Sequence, residues 1–191
     1  MTGARRLFLA IELPKVLRDG IGDAIQPLVG EAPELSWTPG QNRHITMKFL
    51  GDVALDRVEG LTSMIEEIAR THRPFSIQVA RIGAFPNFRK ARVVWLGVEP
   101  EPRFELLQHD LELAADAIGF ELEGRVFRPH VTLARLTTSV DVARARRLAR
   151  AARKVDFSAS VDVAGLTLFE STLAPTGARH SRIHAASLGV R

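Results

Sequence analysis

Cysteine is absent from the 191-residue chain. That excludes a disulfide scaffold, a thiolate zinc site and a cysteine nucleophile. No run approaches the ~20 consecutive apolar residues of a membrane-spanning helix, so no membrane partner is expected. The start, MTGARRLFLAIELP, has a basic lead and an apolar run, but the run is short, holds Glu12 and lacks a small-residue cleavage site. It reads as a first strand, and the chain as cytoplasmic and monomeric. Rossmann, Walker and zinc-finger spacings are also missing, so no ATP, metal or other cofactor is expected. There is no low-complexity tract and no long linker.

What the chain does contain is an ordinary globular balance, 46% hydrophobic and 25% charged. Its length suffices to bury on the order of 70% of the unfolded surface, in one large domain or two small lobes. A formal charge of +4 and a pI near 10.3 are compatible with nucleic acid or phosphorylated substrates without singling them out.

Taken in order, Arg6–Glu12 predicts a strand, and Pro14, suited to a first helical position, opens a helix to about Pro27. Gly30–Gly40 is a loop around Trp37 with a short strand at Leu35–Thr38. His44–Leu50 alternates as a strand that Gly51 is expected to stop. Within Asp52–Arg70, apolar residues at Val58, Leu61, Met64, Ile65 and Ile68 follow helical spacing. Phe75–Phe85 is a strand, PNFRK a basic loop and Arg92–Val98 the next strand. Pro100 and Pro102 open a helix to about Ile118, stopped by Gly119. Phe120–Phe127 is a loop or edge strand, and His130–Leu136 a strand. Ser139 caps a helix to about Arg153. Val161–Phe169 is a strand, Leu173–Gly177 a turn and Arg182–Leu188 the last strand.

The order strand, helix, loop, strand, helix, strand thus occurs twice. His44 and His130, Thr46 and Thr132, and Pro14 and Pro100 each stand 86 residues apart. This predicts a single two-lobed domain over 1–191, with approximate repeat halves 5–90 and 91–191 related by a pseudo-twofold axis. Such an axis brings equivalent strands together at the centre. One early strand crossing between the lobes would make the halves interdependent.

At that centre lie the two motifs, RHITMKFLG and PHVTLAR. Side chains two apart on a strand share a face, so each motif offers one imidazole and one hydroxyl side by side. Six histidines and eleven threonines make a single His-x-Thr a plausible accident. Two in apolar strands at the repeat period are not. Zinc would call for further histidines or carboxylates beside each imidazole, and these strands offer hydroxyls. Histidine moves its proton near neutral pH. Two of them across a substrate can split the work, one taking a proton from water and one protonating a leaving oxygen. Threonine hydroxyls can donate to phosphate oxygens as charge builds. The set fits a cyclic phosphodiester, although the near symmetry of the motifs does not assign acid and base.

Together with RLFLAIELP, HITMKFLGDV, the FP…RVVWLGV block, RPHVTLAR and LFESTLAPTGARHSRIHAASLG, these residues resemble the two-histidine phosphoesterases. The specific likeness is to the LigT-like RNA 2′,3′-cyclic phosphodiesterases, formerly called 2′–5′ RNA ligases. The resemblance implies an α+β fold of two lobes, with antiparallel sheets lining a central cleft and helices outside. It implies metal-independent hydrolysis of RNA ends carrying a 2′,3′-cyclic phosphate to a 2′-phosphate, and weak reversible ligation of tRNA halves in some members. It makes His44 the proton donor to the leaving 3′ oxygen and His130 the acceptor from water, with Thr46 and Thr132 holding the phosphate. One departure is His180, at a place where the family often carries tyrosine.

Lys48 shares the face of His44 and Thr46 by parity and is a candidate phosphate contact. Arg135 matches the family's motif arginine, although parity sets it opposite His130 unless the strand bulges. Trp37, Phe85 and Phe88 are candidates for base stacking, against the alternative of packing. His72, His109 and His184 have no motif and read as structural. The basic stretch from Arg144 to Lys154 is either an RNA contact or a solvated helix face. Two competing functions remain: a phosphodiesterase for a small cyclic nucleotide or ADP-ribose cyclic phosphate, and a non-catalytic nucleotide- or RNA-binding module.

Overall fold

The computed structural model describes residues 3–136, 141–174 and 177–189. In chain order these form β1 (Ala4–Glu12), α1 (Lys15–Ala24), α2 (Gln26–Glu31), β2 (Ser36–Trp37), β3 (His44–Ala54), α3 (Val58–Thr71), β4 (Phe75–Phe85), β5 (Val93–Val98), α4 (Pro102–Ala117), β6 (His130–Arg135), α5 (Val142–Lys154), β7 (Ser158–Val163), β8 (Gly165–Ala174) and β9 (Gly177–Ser187). No helix among them is long and apolar enough to cross a membrane.

The strands pair in the order β7-β4-β5-β6-β3-β1-β8-β9, with β2 beside β6. Every pairing is antiparallel. The two halves of this sheet meet at one pair, Ile45 opposite Val131. About that join β6 answers β3, β5 answers β1 and β4 answers β8. β4 belongs to the first half of the sequence but lies with β5 and β6, and β8 lies with β1 and β3. The first half lends β4 and the second lends β8 and β9, so neither completes its sheet alone.

Alternation gives the sheet its two faces. Leu7, Leu9 and Ile11 of β1, Ile45 of β3 and Val131 and Leu133 of β6 are buried on one side. The apolar faces of α3 (Leu61, Met64, Ile65) and α4 (Phe104, Leu107, Leu111) join the same core. Each fully buried Leu or Ile contributes on the order of 2 kcal/mol. The opposite face carries His44, Thr46, His130 and Thr132, all half-buried; it lines the cleft.

Several boundaries differ from those the pattern predicts. The first helix ends at Ala24 and a second starts at Gln26, because Pro27, in the opening turn of α2, lacks the N–H that a continuing helix would use. Gly51 does not stop β3. It takes φ +72 and lets the strand run on to Ala54, with Val53 buried opposite Arg5, so α3 starts only at Val58. The apolar run Val161–Phe169 is two strands on opposite sides of the sheet: β7 pairs with β4 and β8 with β1. Ala164 alone separates them. β9 begins at Gly177, five residues before the predicted start. Ser139 lies outside the described residues; α5 is capped by Asp141, whose carboxylate accepts from the Arg144 N–H at 2.9 Å.

Candidate active site

The two histidines are held in the same way. His44 Nδ1 lies 2.8 Å from the carbonyl oxygen of Asn42, and His130 Nδ1 lies 2.7 Å from that of Arg128. A carbonyl can only accept, so Nδ1 carries the proton in each ring and Nε2 holds the lone pair. The Thr46 hydroxyl stands 3.1 Å from His44 Nε2 and donates to it. Nε2 of His130 makes no hydrogen bond among the described residues, and Thr132 flanks it on the same face.

Their surroundings differ. The His44 ring packs 4.8 Å from Phe8, 6.2 Å from Phe169 and 5.2 Å from His180, edge-on. Burial, then the positive charge that His180 can carry, then Arg135 and His130 hold it at about 4, against the Asn42 carbonyl that favours the charged ring. His130 has Phe85 edge-on at 5.1 Å. Burial and Arg135 push it below the usual imidazole range, opposed by the Arg128 carbonyl. His180, on β9, is pushed down by burial and Arg135 as well. His44 therefore feels both other rings, and the guanidinium acts on all three.

Both motif strands bulge just after the threonine. Leu9 of β1 faces Lys48 while Ala10 faces Thr46, so Met47 is extra. Val94 of β5 faces Ala134 while Trp95 faces Thr132, so Leu133 is extra. An extra residue reverses parity beyond it. Met47 and Lys48 are both buried, as are Leu133 and Ala134. Arg135 thereby returns to the face of His130.

The same shift corrects the expectation for Lys48. Its side chain, 2% exposed, points into the helix layer, 2.6 Å from the Glu112 carboxylate of α4 and 2.8 Å from the Glu121 carbonyl. Phe49 stands in the cleft instead, 59% exposed, its ring 6.2 Å from that of Phe8. Parity counting overlooked it. Yet the 86-residue step that equates the motifs also equates Phe49 with Arg135, a signal available in the sequence.

Trp37 is corrected too. It pairs with Ala134, shares that residue's buried face, packs against the core and donates its indole N–H to the Ala32 carbonyl at 2.9 Å. Phe88 likewise packs against the core. Phe85 does reach the cleft, between His130 and Trp95, whose ring is 5.1 Å away. Trp95, opposite Thr132 and lying against Gly83, is a cleft residue the pattern did not single out. His72 faces Asp110 at 3.0 Å and His184 faces Glu66 at 3.3 Å, whereas His109 is exposed. On α5, Arg144 and Arg147 pair with Glu34 and Glu31 at 2.7 and 3.4 Å. That takes up part of the basic face. Among the described residues no cluster of three or more His, Asp or Glu forms a metal-ligand set.

Known proteins resemble this chain in sequence and fold. An RNA 2′,3′-cyclic phosphodiesterase of Methanothermobacter thermautotrophicus is 32% identical over 172 residues, 90% of this chain and 92% of its own length. The structure of Escherichia coli LigT complexed with 3′-AMP superposes with a TM-score of 0.76 at 27% identity, covering 97% of this chain and 98% of that one. The structure of a Thermus thermophilus protein, TT0787, gives a TM-score of 0.81 at 26% identity over 97% and 98% of the two chains. The family model of the 2′-5′ RNA ligase superfamily matches residues 19–174. The chain belongs to that superfamily.

Proposed function

We propose that this protein is a hydrolase, an RNA 2′,3′-cyclic phosphodiesterase, that opens the terminal cyclic phosphate to a 2′-phosphate with His130 as base and His44 as acid. The observation that carries the reading is the pair of imidazoles, each anchored through Nδ1 to the carbonyl two residues earlier. That anchoring leaves both Nε2 atoms for proton transfer at one cleft. The activity of the relatives, RNA 2′,3′-cyclic phosphodiesterases by name, agrees with it.

His130 Nε2, without a partner of its own, takes a proton from water as the oxygen attacks phosphorus. The bond to O3′ breaks in line, and the protonated His44 gives its Nε2 proton to that oxygen. Arg135 and the hydroxyls of Thr46 and Thr132 stabilise the charge spread over the non-bridging oxygens. Phe49 offers an exposed ring to the terminal base. A ribose 5′-hydroxyl in place of water gives a 2′–5′ linkage by the same transfers, the ligation for which the superfamily is named.

The test is turnover of a short RNA ending in a 2′,3′-cyclic phosphate, and of 2′,3′-cyclic AMP, in EDTA. Conversion of both to the 2′-phosphate isomer is expected. A 3′-phosphate product, or loss of turnover with chelator, contradicts the mechanism. Failure on RNA with turnover of the mononucleotide alone supports the small-substrate reading.

The pH dependence follows from the site. Turnover needs one imidazole charged and one neutral, and the singly protonated pair is most populated between the pair's two pKa values. Both lie below the ordinary 6.5 in the free protein. The kcat/KM profile is therefore expected to peak below pH 6.5 and fall as pH rises past it. The bound phosphate anion favours the imidazolium, so the kcat profile shifts to higher pH. A kcat/KM optimum above pH 7 would falsify this.

A further inference from the structure

We propose that the buried Lys48–Glu112 pair is a positioning device for the terminal nucleoside. It fixes the bulge that delivers Phe49 to the cleft and the loop that borders Phe49. The proposal rests on the functional reading above, and its test separates the two.

The pair is the hub of a network behind the sheet. Glu112 Oε2 takes the Lys48 ammonium at 2.6 Å and the backbone N–H of Glu123 at 3.0 Å. The other carboxylate oxygen takes the Gln108 amide at 3.2 Å, and Lys48 donates a second bond to the Glu121 carbonyl. Residues 119–124 have no regular structure. Besides this hub they are held by Arg57, which lies 4.3 Å above the Phe120 ring and donates to the preceding Ile118 carbonyl at 2.6 Å. This loop and Phe49 line one groove of about 460 Å³.

Lys48 and Phe49 are consecutive, and the bulge sends one behind the sheet and the other into the cleft. With the ammonium fixed to α4, β3 cannot relax into regular register without pulling a buried charge from its partner. Breaking one side of a buried pair is strongly unfavourable, so the ion pair holds the bulge and, through it, the Phe49 ring. The pseudo-equivalent bulge in β6 has the small, buried Ala134 in the place of Lys48. The anchor is therefore peculiar to the side where the base is read.

A lone Lys48→Met leaves Glu112 buried without its partner and risks the fold. The informative protein is the double variant Lys48→Met/Glu112→Leu, since apolar replacement of both partners is often tolerated. Calorimetry with adenosine 2′-phosphate and with inorganic phosphate reads the site without turnover. The expected result is a Kd for the nucleotide about tenfold weaker, with the Kd for phosphate unchanged, as in a Phe49→Leu control. Equal weakening for both ligands means a merely structural role, and no weakening means no role; either overturns the proposal. Wild-type turnover of 2′,3′-cyclic AMP, run beside it, reports on the enzymatic reading alone.

Discussion

Alanine at His44 or at His130 is expected to lower turnover of a nucleoside 2′,3′-cyclic phosphate by about 10² to 10⁴-fold, the usual contribution of one positioned acid or base. The double variant should be little slower than either single one, because the two groups act in one step. The variants also separate the roles. A substrate whose 3′ bridging oxygen is replaced by sulfur loses a thiolate that needs no proton. His44→Ala should regain most of its rate on that substrate, and His130→Ala should not. Recovery in the opposite variant would reverse the assignment, and recovery in neither would mean that leaving-group protonation is not what His44 supplies. Access favours the stated order at one end: the Nε2 of His130 has no partner among the described residues and is available to a water. At the other end burial and His180 oppose the charge on His44, so its protonated form depends on the phosphate anion that the substrate brings.

The placement of the two histidines and two threonines on one face was legible because it is written locally. A His-x-Thr on an alternating strand fixes two side chains on one face whatever the strand later pairs with, and its recurrence at a constant step points to the central join. Lys48, Arg135 and Phe49 were not legible by the same rule. Their facing depends on bulges at Met47 and Leu133, and a bulge is set by the register against β1 and β5 rather than by the strand's own alternation. Parity is reliable up to the threonine and reversed after it. The split at Ala164 is a harder case. The run Val161–Phe169 stays largely apolar across the junction, and only the partners, β4 at one side and β1 at the other, distinguish two strands from one. Periodicity carries no information about partners. At Gly165 the chain passes so close to the Ala186 carbonyl that a Cβ would lie 2.7 Å from its oxygen, which agrees with the sharp turn between strands.

Replacing Arg135 by glutamine is expected to reduce kcat by about 10² to 10³-fold, as removal of a donor aimed at developing charge does, and also to move the pH profile. The direction follows from the sign of its charge. The guanidinium opposes protonation of His44, His130 and His180, so its loss raises the pKa of each, and the kcat/KM optimum should move to higher pH. Lysine at the same position keeps the charge but not the planar fork that can grip two phosphate oxygens. Arg135→Lys should therefore keep the acid-shifted profile while losing most of the rate. A residue that only packed the strand end would lower activity in both variants and leave the profile in place. If Arg135→Gln leaves the profile where it was, the guanidinium does not face the imidazoles in solution, and the bulge at Leu133 no longer explains how the motif arginine reaches the phosphate.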